Sequence, residues 1–175
     1  MDVSSVRDRL LKEAERSVRA ASGVPGVKRI ALIGSITTPK PSPKDIDLMV
    51  TVADDAALGP LARYARQLQG RLQGLNRGAD VFLVDEGGNY LGRTCGWRTC
   101  RPGIRASCDA LNCGRRPYLH DDLRTVRLSG STIAEPPAQL WPTIERRGHL
   151  PADVEQFLEA LDTPPNMACS QQRPV

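Results

Sequence analysis

Near the N-terminus, apolar residues recur at helical spacing. Val6, Leu10, Leu11, Ala14 and Val18 share one side, with Arg, Lys and Glu between them. The pattern predicts an amphipathic helix over residues 4–21. Ser5 and Asp8 have the spacing of an N-terminal capping box. Gly23-Val24-Pro25-Gly26 then breaks the period. The next run, VKRIALI (27–33), is short, apolar and β-branched, and reads as a buried strand that ends at Gly34-Ser35. A spacer with three prolines leads into IDLMVTV (46–52), a second strand. Alternation there puts Asp45, Asp47 and Met49 on one face and Ile46, Leu48 and Val50 on the other. Leu58, Leu61, Ala65, Leu68 and Leu72 mark a second helix, with Pro60 near its start and Gly74 near its end. ADVFLV (79–84) is a third strand, opening with Asp80.

Beyond residue 85 the periodicity fades. Residues 86–120 hold Gly, Arg and four cysteines, with little apolar pattern. RTVRL (124–128) reads as a short strand. Val154, Phe157, Leu158 and Leu161 form the apolar side of a last helix over 151–162, entered at Pro151. Residues 163–175 (TPPNMACSQQRPV) read as a disordered tail. The expected architecture is α/β (α+β): a small mixed sheet flanked by helices in a single domain over 1–162. Its core would span 25–85, with the Cys-rich segment as an insertion.

Composition narrows the classes. The chain has 175 residues, 40% hydrophobic and 25% charged, in the range of an ordinary globular protein. Aromatics are 4%, so the core must be aliphatic. The formal charge of +4 suits an anionic partner such as a nucleotide, though an ordinary arginine-rich surface accounts for it equally well. No run approaches the ~18 apolar residues of a membrane span. The first residues, MDVSSVRDRLLKEAERS, are charged throughout, unlike a signal peptide. The expected compartment is the cytoplasm, where thiols stay reduced.

The chemistry lies in the carboxylates. Asp45 and Asp47 share a face, about 7 Å apart at ~3.3 Å per residue. Two like charges so close call for water or a cation between them, and Mg²⁺ prefers one or two carboxylates plus substrate phosphates. If the third strand lies beside the second, Asp80 joins them. The Gly34-Ser35 turn can bring backbone N–H groups and the Ser35 hydroxyl to phosphate oxygens.

Gly34-Ser35, a spacer, Asp45-Ile46-Asp47 within apolar residues, and Asp80 on a later strand together resemble the nucleotidyltransferase superfamily of DNA polymerase beta, in particular its minimal members. The resemblance covers residues 28–85. It implies Mg²⁺ held by Asp45 and Asp47, with Asp80 as second-metal ligand and base. Gly34, Ser35, Lys40 and Lys44 would meet the phosphates of a nucleoside triphosphate, ATP by default. A nucleoside monophosphate would pass to an acceptor hydroxyl on a protein, a tRNA end or a small molecule such as an aminoglycoside. A catalytically silent module that binds a nucleotide or a toxin-type protein partner is the alternative. The prolines at 39, 41 and 43 depart from the family pattern and argue against a long helix after Ser35.

Cys95, Cys100, Cys108 and Cys113 form C-x4-C-x7-C-x4-C. Four thiolates in a segment without its own core fit a structural Zn²⁺ site, with His120 as a substitute ligand. Reduced, unliganded cysteines fit as well. Arg93, Arg98, Arg101, Arg105, Arg115 and Arg116 lie nearby with Trp97 and Tyr118. Such a set suits nucleic acid, so a zinc-stabilised nucleic-acid-binding protein is a third reading.

Overall fold

The computed structural model of the chain describes residues 3–100, 110 and 116–163. Helix α1 spans Val3–Ala21. Strand β1 (Val27–Ile33) leads through a 3-10 turn at Ser35–Thr37 and the proline spacer to β2 (Asp45–Val52). Helix α2 (Leu58–Gln73) connects to β3 (Gly78–Val84). Then come β4 (Tyr90–Thr94), β5 (Leu119–His120), α3 (Gly130–Ala134), β6 (Ala138–Trp141), β7 (Glu145–Arg146) and α4 (Ala152–Asp162). The class is mixed α/β, of the α+β kind. One seven-stranded sheet runs in the order β5-β4-β3-β2-β1-β6-β7. Strands β2 and β3 are parallel, and the other neighbours are antiparallel. A parallel pair needs a crossover, and α2 supplies it.

The alternation read from the sequence sorts the sheet into two faces. Ile30, Leu32, Ile46, Leu48, Val50, Val81 and Leu83 point to one face, where they meet Leu10, Leu11, Ala14 and Val18 of α1, the leucines of α2, and Phe157 and Leu158 of α4. On the other face lies a smaller cluster of Ala31, Ile33, Met49, Phe82, Val84 and Ile133, flanked by Tyr90, Val126 and Leu128. Pro60 sits in the first turn of α2, where its missing N–H costs nothing.

The structure corrects two local expectations. Helix α1 already runs from Val3, so Ser5 stands inside it rather than before it. Residues 124–128 form no strand. The amides of Thr125 and Val126 turn back to the Asp122 carbonyl, and Val126 and Leu128 pack singly against the smaller cluster. Strands β4 to β7 carry little pattern of their own, because two to five residues pair only where a neighbouring strand presents its edge. The expected tail falls outside the described residues from 164 onward. Among the described residues no helix is long and apolar enough to cross a membrane.

Candidate functional site

Strand direction gathers the predicted residues. Strand β1 ends where β2 and β3 begin, so Gly34, Asp45 and Gly78 meet at one edge of the sheet. Ile33 pairs with Asp47, and Asp47 pairs with Asp80 in the parallel register. Neighbouring strands lie ~4.8 Å apart, which puts Asp47 and Asp80 side by side on the face of the smaller cluster. Asp45 follows on the same face, two residues before Asp47.

Two glycines make room for these acids. Gly34 has φ +78°, and a Cβ there would overlap the Asp47 carboxylate. Gly78 likewise faces the Asp45 carboxylate, which a Cβ would displace. The Gly-Ser turn therefore lies directly against one member of the acidic pair.

The turn is short, as the prolines require. Thr37 N–H and Oγ donate to the Gly34 carbonyl, and Thr38 N–H and Oγ donate to that of Ser35. Ile36 is fully buried among the helix-side residues and pins the turn across the sheet edge. Lys40 and Lys44 are exposed on the spacer that follows. A proline-rich spacer has few N–H groups with which to close on itself. It is held from outside instead. The buried Arg7 of α1 donates to the carbonyls of Ile36 (2.7 Å), Lys40 (2.7 Å) and Thr38 (3.4 Å), and it ion-pairs with Asp153 of α4. Arg77 donates to the Ser42 hydroxyl, and Gly78 N–H to the Lys44 carbonyl. One clue to Arg7 exists in the sequence: it is a charge on the apolar stripe of the first helix.

Electrostatics mark the same edge. Burial first, then the nearby charges of Asp80 and Asp45, push the Asp47 carboxyl up to about 6 from its ordinary 3.8. Arg93 on β4 donates to Asp80 Oδ1 (2.9 Å) and ion-pairs through Nε with the buried Asp122. The Tyr90 hydroxyl donates to the other Asp122 oxygen (2.9 Å). These contacts hold the Arg93 proton more tightly than usual, although burial opposes it. Burial, with the bond to Asp122, also raises the Tyr90 hydroxyl. Beside Asp80 and Arg93 lies a cavity of about 190 Å³, lined also by Arg66, Thr94, Cys95 and His120.

Of the remaining predicted residues, Cys95 and His120 line that cavity with Asp80. Cys95 is buried and Cys100 half-buried, while Cys108 and Cys113 lie outside the described residues. So does the four-thiolate site as a whole. Among the described residues, no group of three or more His, Cys, Asp or Glu side chains is arranged to hold a metal ion. Of the arginine set, Arg93 serves the two acids, and Arg116 donates to the carbonyls of Ala53 and Ala56. Arg101, Arg105 and Arg115 fall outside the described residues.

No protein-family model matches this chain, and neither a curated protein nor a solved structure shows significant similarity to it. Fold and site together define its class: an α+β protein with three carboxylates and a glycine-serine turn at one sheet edge.

Proposed function

We propose that this protein is a Mg²⁺-dependent nucleotidyltransferase that moves a nucleoside monophosphate from a triphosphate, ATP first, to an acceptor hydroxyl. One observation carries the reading. The Gly34-Ser35 turn, the Asp45/Asp47 pair and Asp80 lie on adjacent strands at the same edge, in the order strand, turn, strand, helix, strand. The donor set fits the ion. Two carboxylates on one face suit Mg²⁺, which keeps its remaining positions for water and phosphate oxygens. Burial first, then the charges of Asp80 and Asp45, raises the Asp47 carboxyl, and a bound cation would offset that cost.

When bound, Mg²⁺ would supply the positive charge that neutralises the triphosphate and polarises its α-phosphoryl group. Asp45 and Asp47 would hold it. Gly34 lets the turn come close, and Ser35 and the spacer lysines would meet the outer phosphates. The acceptor oxygen would bond to the α-phosphorus as the bond to the β-phosphate oxygen breaks, and pyrophosphate would leave. The acceptor's proton would pass to Asp80, whose Oδ1 takes the Arg93 bond and whose Oδ2 accepts no bond from the other described residues.

The test incubates the full chain with each α-labelled nucleoside triphosphate and Mg²⁺, and measures pyrophosphate release and label transfer to the chain or to added RNA. Transfer by the native protein and its loss in Asp45→Ala/Asp47→Ala, with the fold kept, supports the reading. Nucleotide binding without transfer would instead favour a silent module. Absence of both, with nucleic acid still bound, would leave the aspartates without this role.

A further inference from the structure

Asp80 stands differently from the other two acids. Asp45 and Asp47 have no arginine partner among the described residues, whereas Asp80 Oδ1 accepts a bond from Arg93 Nη1 at 2.9 Å. Arg93 is not a loosely tethered surface cation. Its Nε is fixed on Asp122, whose side chain is only 4% exposed, and the second oxygen of Asp122 is taken by the Tyr90 hydroxyl. Tyr90 in turn packs beside Phe82, with ring centroids 6.3 Å apart. The guanidinium is therefore clamped from behind, and its free end is aimed at the acidic edge. Strand register enforces this. Arg93 pairs with Phe82 on the side away from β2, and Phe82 lies two residues along the same face from Asp80.

From this geometry we infer that Arg93 is the resident counter-cation of the acidic edge. It holds Asp80 out of metal coordination, so the site takes one divalent cation at Asp45 and Asp47, and a guanidinium stands in place of a second. This inference rests on the reading of Asp45 and Asp47 given above, and adds to it which charge balances Asp80. A guanidinium keeps its proton at any working pH and presents donors in a fixed fork. A carboxylate that already receives such a bond is a poorer ligand for an incoming cation, because the bond must first break. The pair is part-exposed, at 29% and 40% of the side chains, so it is weaker than the Arg93–Asp122 bond behind it. It remains breakable, and the inference is measurable on the metal alone.

The experiment titrates Mn²⁺ into the full nucleotide-free chain, counting bound ions by electron paramagnetic resonance. Native protein is expected to bind one equivalent. Asp47→Asn should weaken that binding at least tenfold, and Asp80→Asn should change it less than twofold. Arg93→Gln should bring a second equivalent, or tighten the first at least fivefold, as Asp80 is released. Arg93→Lys, which keeps the charge, should resemble native protein in stoichiometry. Because Arg93→Gln leaves the buried Asp122 without its cation, circular dichroism checks each variant. If Arg93→Gln does not fold, the Asp80→Asn titration decides alone. Two equivalents in the native protein, or a tenfold loss in Asp80→Asn, would show Asp80 to be a ligand and overturn the inference while leaving the proposed activity standing. No Mn²⁺ bound at the native edge, even at millimolar ion, would overturn the metal reading of Asp45 and Asp47 and this inference with it.

Discussion

The two faces of the sheet are built from the same strands and the same alternation, yet they bury different things. On the helix side, Ile30, Leu32, Leu48, Val50 and Leu83 meet three helices in a continuous aliphatic layer. On the other side, among the described residues, a smaller set of six buried apolar residues gathers around Met49, Phe82 and Ile133, and that face at the β1–β2–β3 edge carries the acids. Shifting a strand's register by one residue would exchange these sets, so every apolar contact on the helix side also holds Asp45, Asp47 and Asp80 outward. Stability is gathered on one face, and the other is free to carry charge repulsion that a core could not tolerate.

The contrast can be tested by removing side chains from each face. The largest effect belongs to the acidic side, and it should fall on chemistry alone. Asp45→Ala/Asp47→Ala is expected to lower nucleotide transfer at least ~10³-fold, equivalent to about 4 kcal/mol of barrier, with no loss of melting temperature. A fall in both would mean that the acids also hold the fold. Next comes the helix side. Leu32 is fully buried, and Leu32→Ala should cost about 3–4 kcal/mol in urea unfolding. A loss under 1 kcal/mol would show that this layer is not the main source of stability.

Arg7 ties the two sides together and should give an intermediate result. Arg7→Ala strips the spacer carbonyls and Asp153 of their donor. A loss of about 2–3 kcal/mol is expected, with reduced activity through the loosened Gly-Ser turn. Unchanged activity in the folded variant would detach the spacer from the site. The smallest effect runs in the opposite direction. Folded Asp47 keeps its proton up to about pH 6, while an unfolded aspartate releases it near 3.8. The native state thus binds more protons between these values, so ionisation of this side chain costs nothing below about pH 4 and opposes folding in full above about pH 6. Asp47→Asn should stabilise the chain by about 1–2 kcal/mol at pH 7.5, a figure reduced for solvent screening, and by nearly nothing at pH 4. Equal effects at both pH values would mean that burial and its neighbours do not disfavour this charge.

Much of this was legible in the residues. Helices α1, α2 and α4 and strands β1 to β3 carry periodic patterns long enough to declare themselves, and the edge acids follow from alternation within them. Gly34-Ser35 showed itself as a turn because glycine and the prolines after it act locally. Tyr90 and Asp122 gave no such signal. Each sits in a segment without period, and its partner lies 32 residues away in the chain. Arg93 was visible only as one of several arginines near the cysteines, and its place beside Asp80 depends on β4 pairing with β3.

By itself, then, the sequence determined which residues alternate, where the chain must turn, and that three acids can share a face, since these depend on neighbours within a few positions. Only the tertiary structure decided that β2 and β3 run in parallel with Asp47 opposite Asp80, that Arg7 holds the spacer, and that a clamped arginine answers Asp80. Those are contacts between distant segments. They are chosen by which edges and charges meet once the helix-side core has closed, a condition that no local pattern encodes.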